Sequence, residues 1–198
     1  MSAVRRRLGG LATLVAVGAA AAIAMPVSAA QADIINLDAC SIASLSQPFA
    51  PWLDPSSYEL APGGDFESAA WSLNGGAQRV PGSEPFAGTG TLGSWSLSLP
   101  AGASAQSPAT CVDAAYPTIR FFTSGTGLVA VSVVYRNITI PAGVALATGD
   151  WAPSLVALTD SALVAAASDG SAQVSIQLTG ILGDVRVDDV FVDPWNRS

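Results

Sequence analysis

The chain predicts an all-β fold, an antiparallel β-sandwich of eight or nine strands carrying one disulfide, on three observations. Apolar residues alternate with period two, most cleanly in Ser94–Leu99 and Gln173–Leu178. Gly, Pro, Asn and Asp punctuate the stretches between such runs. Only Ser161 to Ser168 has helical character, and it offers at most two turns. Short alternating runs with turn residues between them build sheets with one buried face.

The first 32 residues read as an export signal and stand outside the fold. Arg5, Arg6 and Arg7 form a basic start, Leu8 to Met25 is apolar, and Ala30-Gln31-Ala32 supplies a small-residue cleavage site before Asp33. Residues 33–57 follow as an extension without clear period. Pro48, Pro51 and Pro55 exclude a helix interior or central strand there, and Phe49 and Trp52 are expected to strap it to the domain. The domain proper is expected over 58–198.

Its strands are expected in order. Tyr58–Ala61 is a short edge, and Phe66–Leu73 ends at the hairpin dipeptide Asn74-Gly75. Ser94–Leu99 puts Trp95, Leu97 and Leu99 on one face. Ile119–Phe122 precedes a turn at Gly125-Thr126-Gly127, and Leu128–Tyr135 directs Val129, Val131, Val133 and Tyr135 one way. Strands at Asn137–Ile140, Ser154–Leu158, Gln173–Leu178 and Asp184–Val192 complete the set.

Charge and composition exclude several classes of function. Three of the eight arginines leave with the signal, so fifteen acids face five arginines and no lysine, a formal charge of −10. Such a surface repels nucleic acid and anionic lipid, so neither nucleic acid nor membrane is an expected partner of the mature chain. Without histidine, Ser-His-Asp and Cys-His catalysis and the common His-based metal sites are impossible. Without lysine, so are Schiff bases and the P-loop. Carboxylate chemistry survives, and a glycosidase would need two acids facing each other across a cleft. Cys40 and Cys111, bound for an oxidising compartment, are expected to pair. The loop so closed is worth roughly 4 kcal/mol in the chain-entropy model.

Two segments carry a resemblance. Gly63-Gly64-Asp65-Phe66-Glu67 with Trp71 opens the β region, and Val187-Asp188-Asp189-Val190 lies in its last apolar run, with Thr148-Gly149-Asp150-Trp151 between them. In order and spacing these resemble the jelly rolls of carbohydrate-binding modules, the galactose-binding-like group, over roughly residues 58–193. The whole mature chain is also similar to a group of small exported actinobacterial proteins, through Gln47–Trp52, Pro62–Glu67, Ser107–Val112 and Val187–Trp195.

The jelly-roll resemblance implies neighbouring first and last strands. It also implies one structural calcium, shared by the acid after the first-strand phenylalanine, Glu67, and a last-strand aspartate, Asp188 with Asp189 as the alternate. The family's binding-face aromatics do not map onto this chain. Trp71, Trp95 and Trp151 read as packing residues. Trp52 and Trp195, in irregular Pro-flanked segments, are the candidates for stacking on a ligand. The expected protein is a secreted, monomeric, non-catalytic module for a polysaccharide or cell-envelope glycan, released or held at the envelope. The alternatives are a structural or protein-interaction sandwich and, third, a carboxylate glycosidase.

Overall fold

The computed structural model describes residues 44–113, 118–158 and 171–193, without the side chains of 111–113, 158 and 171. The signal segment, Cys40, the Cys111 side chain, Trp195 and the helical candidate at 161–168 lie outside the described residues. The described residues belong to one unit, Ile35–Ser198. Among the described residues ten strands form, β1 (Glu59–Leu60), β2 (Ser72–Asn74), β3 (Gln78–Pro81), β4 (Trp95–Pro100), β5 (Ser104–Gln106), β6 (Thr110–Asp113), β7 (Thr118–Tyr135), β8 (Ile138–Pro153), β9 (Ala157–Leu158) and β10 (Ser171–Asp193). Every pairing among them is antiparallel.

β10 is the axis of the fold. One of its edges pairs with β7 from Ser175 to Asp193. Its other edge takes β6, β5, β4 and β1 one after another. β8 lies on the far side of β7, β2 beyond β5, and β3 beyond β4. The last strand thus lies beside the first, with Glu59 opposite Val192 and Leu60 opposite Phe191.

The longest strand differs from the sequence expectation for a physical reason, the β-bulge. Gln173–Leu178 and Asp184–Val192, expected as separate strands, are one strand of 23 residues. Its residues in the main core are Ala172, Val174, Ile176 and Leu178, then Val185 and Val187, then Val190 and Val192. Parity flips twice, and register shifts fall at both places, between Gly180 and Leu182 and between Asp188 and Phe191. One extra residue turns the strand's apolar face over, so a bulge lets a bending strand keep its face on the core. The turn expected at Gly125-Thr126-Gly127 is likewise absent, because these residues run inside β7.

The glycines there serve close approach. A Cβ on Gly183, at φ +70°, would sit 2.0 Å from the Thr126 carbonyl oxygen. Gly183→Ala combines that overlap with left-handed backbone strain, and should cost about 2–4 kcal/mol. The measurement is the denaturant midpoint at constant m-value. A loss below about 0.5 kcal/mol, the size of an ordinary surface change, would show that the two strands do not approach so closely.

Two further expectations are corrected. The strand expected at Phe66–Leu73 shrinks to Ser72–Asn74. Phe66 has φ +53° in a run of turns, with hydrogen bonds from the Gly64 N–H to the Ala61 carbonyl and from the Phe66 N–H to the Gly63 carbonyl. Asn137, expected within a strand, sits in the two-residue hairpin joining β7 to β8. Arg136 and Asn137 there have φ +46° and +68°, the geometry that matches strand twist.

The main core gathers Leu97 and Leu99 of β4, Val129, Val131 and Val133 of β7, Ala145 and Ala147 of β8, and the buried residues of β10. Phe66 and Trp71 join it from the loop before β2. A second, smaller cluster holds Phe49, Tyr58, Phe122 and Phe191, with Trp52, Leu60 and Trp151 packed alongside. Phe191 reaches this cluster because the bulge before it moved its neighbours Val190 and Val192 onto the main core.

Candidate functional site

The second cluster supports a groove built from two irregular segments. The first is the strap, residues 46–54. Ser46 and Tyr58 form an isolated bridge, and a 3₁₀ turn spans Ala50–Trp52 with Pro51 inside it. A first-turn proline costs nothing, since its N–H would lack a partner there anyway. The turn sends Phe49 inward, its ring 5.1 Å from Tyr58, 5.2 Å from Phe122 and 5.7 Å from Phe191. It sends Trp52 toward the groove.

Arg120 fastens the strap from below. Its guanidinium lies 4.3 Å over the Phe49 ring, pairs with Asp54, and donates to the Ser154 carbonyl through Nε and Nη2 at 3.2 and 3.0 Å. The Tyr58 hydroxyl donates to Asp54 at 2.7 Å. Burial alone would raise the Asp54 pKa, but the Tyr58 hydroxyl, Arg120 and Ser56 hold it down at about 2. Burial and the same carboxylate push Tyr58 up to about 12.

The second segment is the loop 84–90. Glu84, 1% exposed, folds back under its own loop. Its carboxylate accepts the Phe86 N–H at one oxygen and the Gly88 N–H, at 2.7 Å, at the other. Asp188 holds Glu84 in turn, its Oδ2 accepting the Glu84 N–H at 2.9 Å and its Oδ1 the Asp189 N–H at 2.9 Å. Gly88 presses on what lies beneath, since a Cβ there would meet the Phe122 ring at 2.6 Å and Asp189 Oδ2 at 2.8 Å.

Between strap and loop lies a groove of about 500 Å³. Gln47, Pro48 and Trp52 line one side, Phe86, Gly88 and Thr89 the other. The Trp52 and Phe86 rings meet edge to face at 4.9 Å, and both rest on Phe122, at 5.6 and 5.4 Å. Phe86 remains 42% exposed. The pair forms a buttressed apolar wall that already has its geometry before any ligand arrives.

Under this groove are three buried carboxyl groups, Glu84, Asp188 and Asp189. Asp188 is 0% and Asp189 4% exposed. Asp189 occupies the bulge at φ +47°, a conformation aspartate tolerates better than most residues. Among the described residues no arginine pairs with any of the three. Burial raises Asp188 to about 6, helped by the Glu84 charge and opposed by the N–H groups of Glu84 and Asp189 and the Ser83 hydroxyl. Burial, then the charges of Asp188 and Glu84, the hydrogen bond with Glu84 and the charge of Asp65 raise Asp189 to about 8. The upward shift favours the protonated form of Asp189, in which its hydrogen bond with the Glu84 side chain can form.

This arrangement does not fit the calcium implied by the resemblance. Glu67 is exposed, and its Oε1 accepts the N–H groups of Ser94 and Trp95 at 2.6 and 2.9 Å. Asp188 spends both oxygens on backbone N–H groups. Among the described residues no group of three or more His, Cys, Asp or Glu is arranged to hold a metal ion. The acids of the two segments find backbone donors instead, and Asp189 a side-chain hydrogen bond with Glu84.

Of the candidate stacking residues, Trp52 lines the groove and Trp195 lies outside the described residues. Trp71 donates to the Pro62 carbonyl at 3.0 Å and packs on Phe66, while Trp95 and Trp151 lie under Arg79 and Arg186 at 4.8 and 5.5 Å. Sequence reasoning missed Phe86 and Glu84. The available signal was an acid beside proline in the turn-rich run Pro81–Gly90, where a carboxylate can gather loose N–H groups.

No family model matches the chain, and no curated protein matches it significantly. Among solved structures it is similar to the C-terminal CBM6 of LamC, a marine laminarinase from Zobellia galactanivorans, at 13% identity over 62% of this chain and 90% of that one, TM-score 0.44. A CBM61 solved with β-1,4-galactotriose overlaps at 15% identity over 67% of this chain and 96% of that one, TM-score 0.42. The CBM22-1–GH10 modules of Clostridium thermocellum xylanase 10B, solved with xylohexaose, overlap at 15% identity over 70% of this chain and 28% of that one, TM-score 0.41.

Proposed function

We propose that the mature protein is a secreted, non-catalytic binding module that takes a polysaccharide or cell-envelope glycan into the groove between strap and loop. The observation that carries this reading is the buttressed Trp52–Phe86 wall, in a groove whose other lining is Pro48 and Pro51, the small residues Ala87, Gly88 and Gly90, and the polar Ser46, Gln47 and Thr89. Sugar rings present apolar faces to aromatic side chains and hydroxyls to polar ones. The adjacency of first and last strands supports a jelly-roll connection, and a Cys40–Cys111 disulfide would anchor the strap's upstream end. Among the described residues no helix is long and apolar enough to cross a membrane. A glycosidase finds no support in the groove, because none of its lining residues is a carboxylic acid.

The test is depletion of mature Asp33–Ser198 by a panel of insoluble polysaccharides and purified cell wall. One solid should deplete it specifically, and Trp52→Ala or Phe86→Ala should weaken that binding at least about tenfold, as loss of a central aromatic anchor does. Absence of depletion by every solid would end the reading. The second reading, a protein-interaction sandwich, has its own observation. Leu182, Leu128 and Leu146 face one another across β10, β7 and β8, with Leu182 61% and Leu146 59% exposed.

A further inference from the structure

We infer that the groove selects uncharged glycan chains and rejects chains bearing carboxylate, sulfate or phosphate. The inference rests on the binding-module reading and adds the chemical class of the ligand.

Hydrogen-bond donors decide it. An anion needs N–H groups or cations facing it, and the groove has already committed most of its own. Pro48 and Pro51 have no N–H. The Ser46, Ala50 and Trp52 N–H groups donate to the carbonyls of Tyr58, Gln47 and Phe49. The Gln47 side-chain amide donates to the Pro55 carbonyl at 2.6 Å. On the loop, the Phe86 and Gly88 N–H groups turn inward to Glu84, and the Gly90 N–H donates to the Ala87 carbonyl at 2.7 Å. What faces the groove is therefore chiefly aromatic surface and hydrogen-bond acceptors. Such a surface suits a ligand that brings its own hydroxyl donors.

Electrostatics points the same way. None of the lining residues is charged. Directly beneath Gly88 lies the Glu84–Asp188–Asp189 group, buried and without a paired arginine among the described residues, in which Asp188, raised only to about 6, is ionised at neutral pH. Arg120 is committed to Asp54 and Ser154 under the Phe49 ring. A carboxylated sugar entering here would lose its hydration, find few donors and meet a negative floor.

The experiment uses matched solids. Cellulose, curdlan, mannan and β-galactan are each offered to Asp33–Ser198 untreated and after oxidation of part of their primary hydroxyls to carboxylates, in 20 mM and 500 mM salt. The expected result is at least tenfold weaker binding to the oxidised form of whichever solid binds, with the gap narrowing at high salt. Thr89→Arg, on the exposed rim, should narrow the gap at low salt by supplying the missing cation. Equal or tighter binding to the oxidised solid at low salt overturns the inference and leaves the binding module standing. Absence of binding to every solid in both forms overturns the binding-module reading, and the inference with it.

Discussion

Asp189→Asn should make the protein less sensitive to rising pH than the wild type, with the two nearly equal in stability only below about pH 4. In the unfolded chain both aspartates ionise near pH 4. In the folded protein Asp188 keeps its proton to about pH 6 and Asp189 to about pH 8. Between those limits the folded state binds more protons than the unfolded state, so stability must fall as pH rises. The stabilising contribution is complete below about pH 4 and is lost on the way to pH 8. Each retained proton gives a slope of at most about 1.4 kcal/mol per pH unit, so the decline is steepest below pH 6 and shallower from pH 6 to 8.

Asparagine removes Asp189's share of that decline, about half of the slope from pH 4 to 6 and all of it from pH 6 to 8, and leaves Asp188's share below pH 6. Its amide can donate to Glu84 as the neutral acid does, and it tolerates φ +47°. The check is a set of urea midpoints at pH 5, 6.5, 8 and 9. Parallel curves for wild type and Asp189→Asn would show that Asp189 does not carry the proton. Asp189→Ala separates charge from hydrogen bonding. It loses the donor to Glu84 and should be about 1–3 kcal/mol less stable than Asp189→Asn at every pH.

The sequence made the half-buried strands visible and hid what bends them. Val129, Val131 and Val133, and again Val174, Ile176 and Leu178, are buried on one face as their alternation requires. The same rule divided β10 in two, because alternation restarts out of phase beyond each bulge and a phase break in sequence looks like the end of a strand. Asp188-Asp189 stood out as two acids in an apolar run. Their reason is conformational: the bulge needs one residue at positive φ and leaves two side chains facing the loop 84–90 rather than the core. The jelly-roll resemblance grouped Glu67 with them, as the acid after the first-strand phenylalanine. In space Glu67 serves the N–H groups at Ser94 and Trp95, and the acid that meets the bulge is Glu84. The proline and turn residues around Glu84 mark it as a loop acid but do not show that it meets the bulge, a contact across 104 residues of chain.

Phe49→Ala should produce the largest loss of stability, about 3–5 kcal/mol, and it should abolish binding at the groove as well. Phe49 is fully buried and stands at the centre of the second cluster, against Tyr58, Phe122, Phe191 and the Arg120 guanidinium. Its removal leaves a ring-sized void between strap and sheet, which the prolines on either side prevent the strap from filling by a simple shift. Arg120 and Asp54 would then be opened to water, weakening the second fastening together with the first. Trp52→Ala makes the contrast. Trp52 is only half-buried and lines the groove from the same strap, so its loss should reduce binding while costing clearly less stability. The pair of variants therefore separates holding the strap from facing the ligand. The measurement is the urea midpoint alongside limited proteolysis at residues 46–57. If Phe49→Ala kept its midpoint within about 1 kcal/mol, less than the loss of a core ring allows, and its strap stayed protected, the strap would be held by Arg120 and the Ser46–Tyr58 bridge alone. The groove's first wall would then owe nothing to the second core.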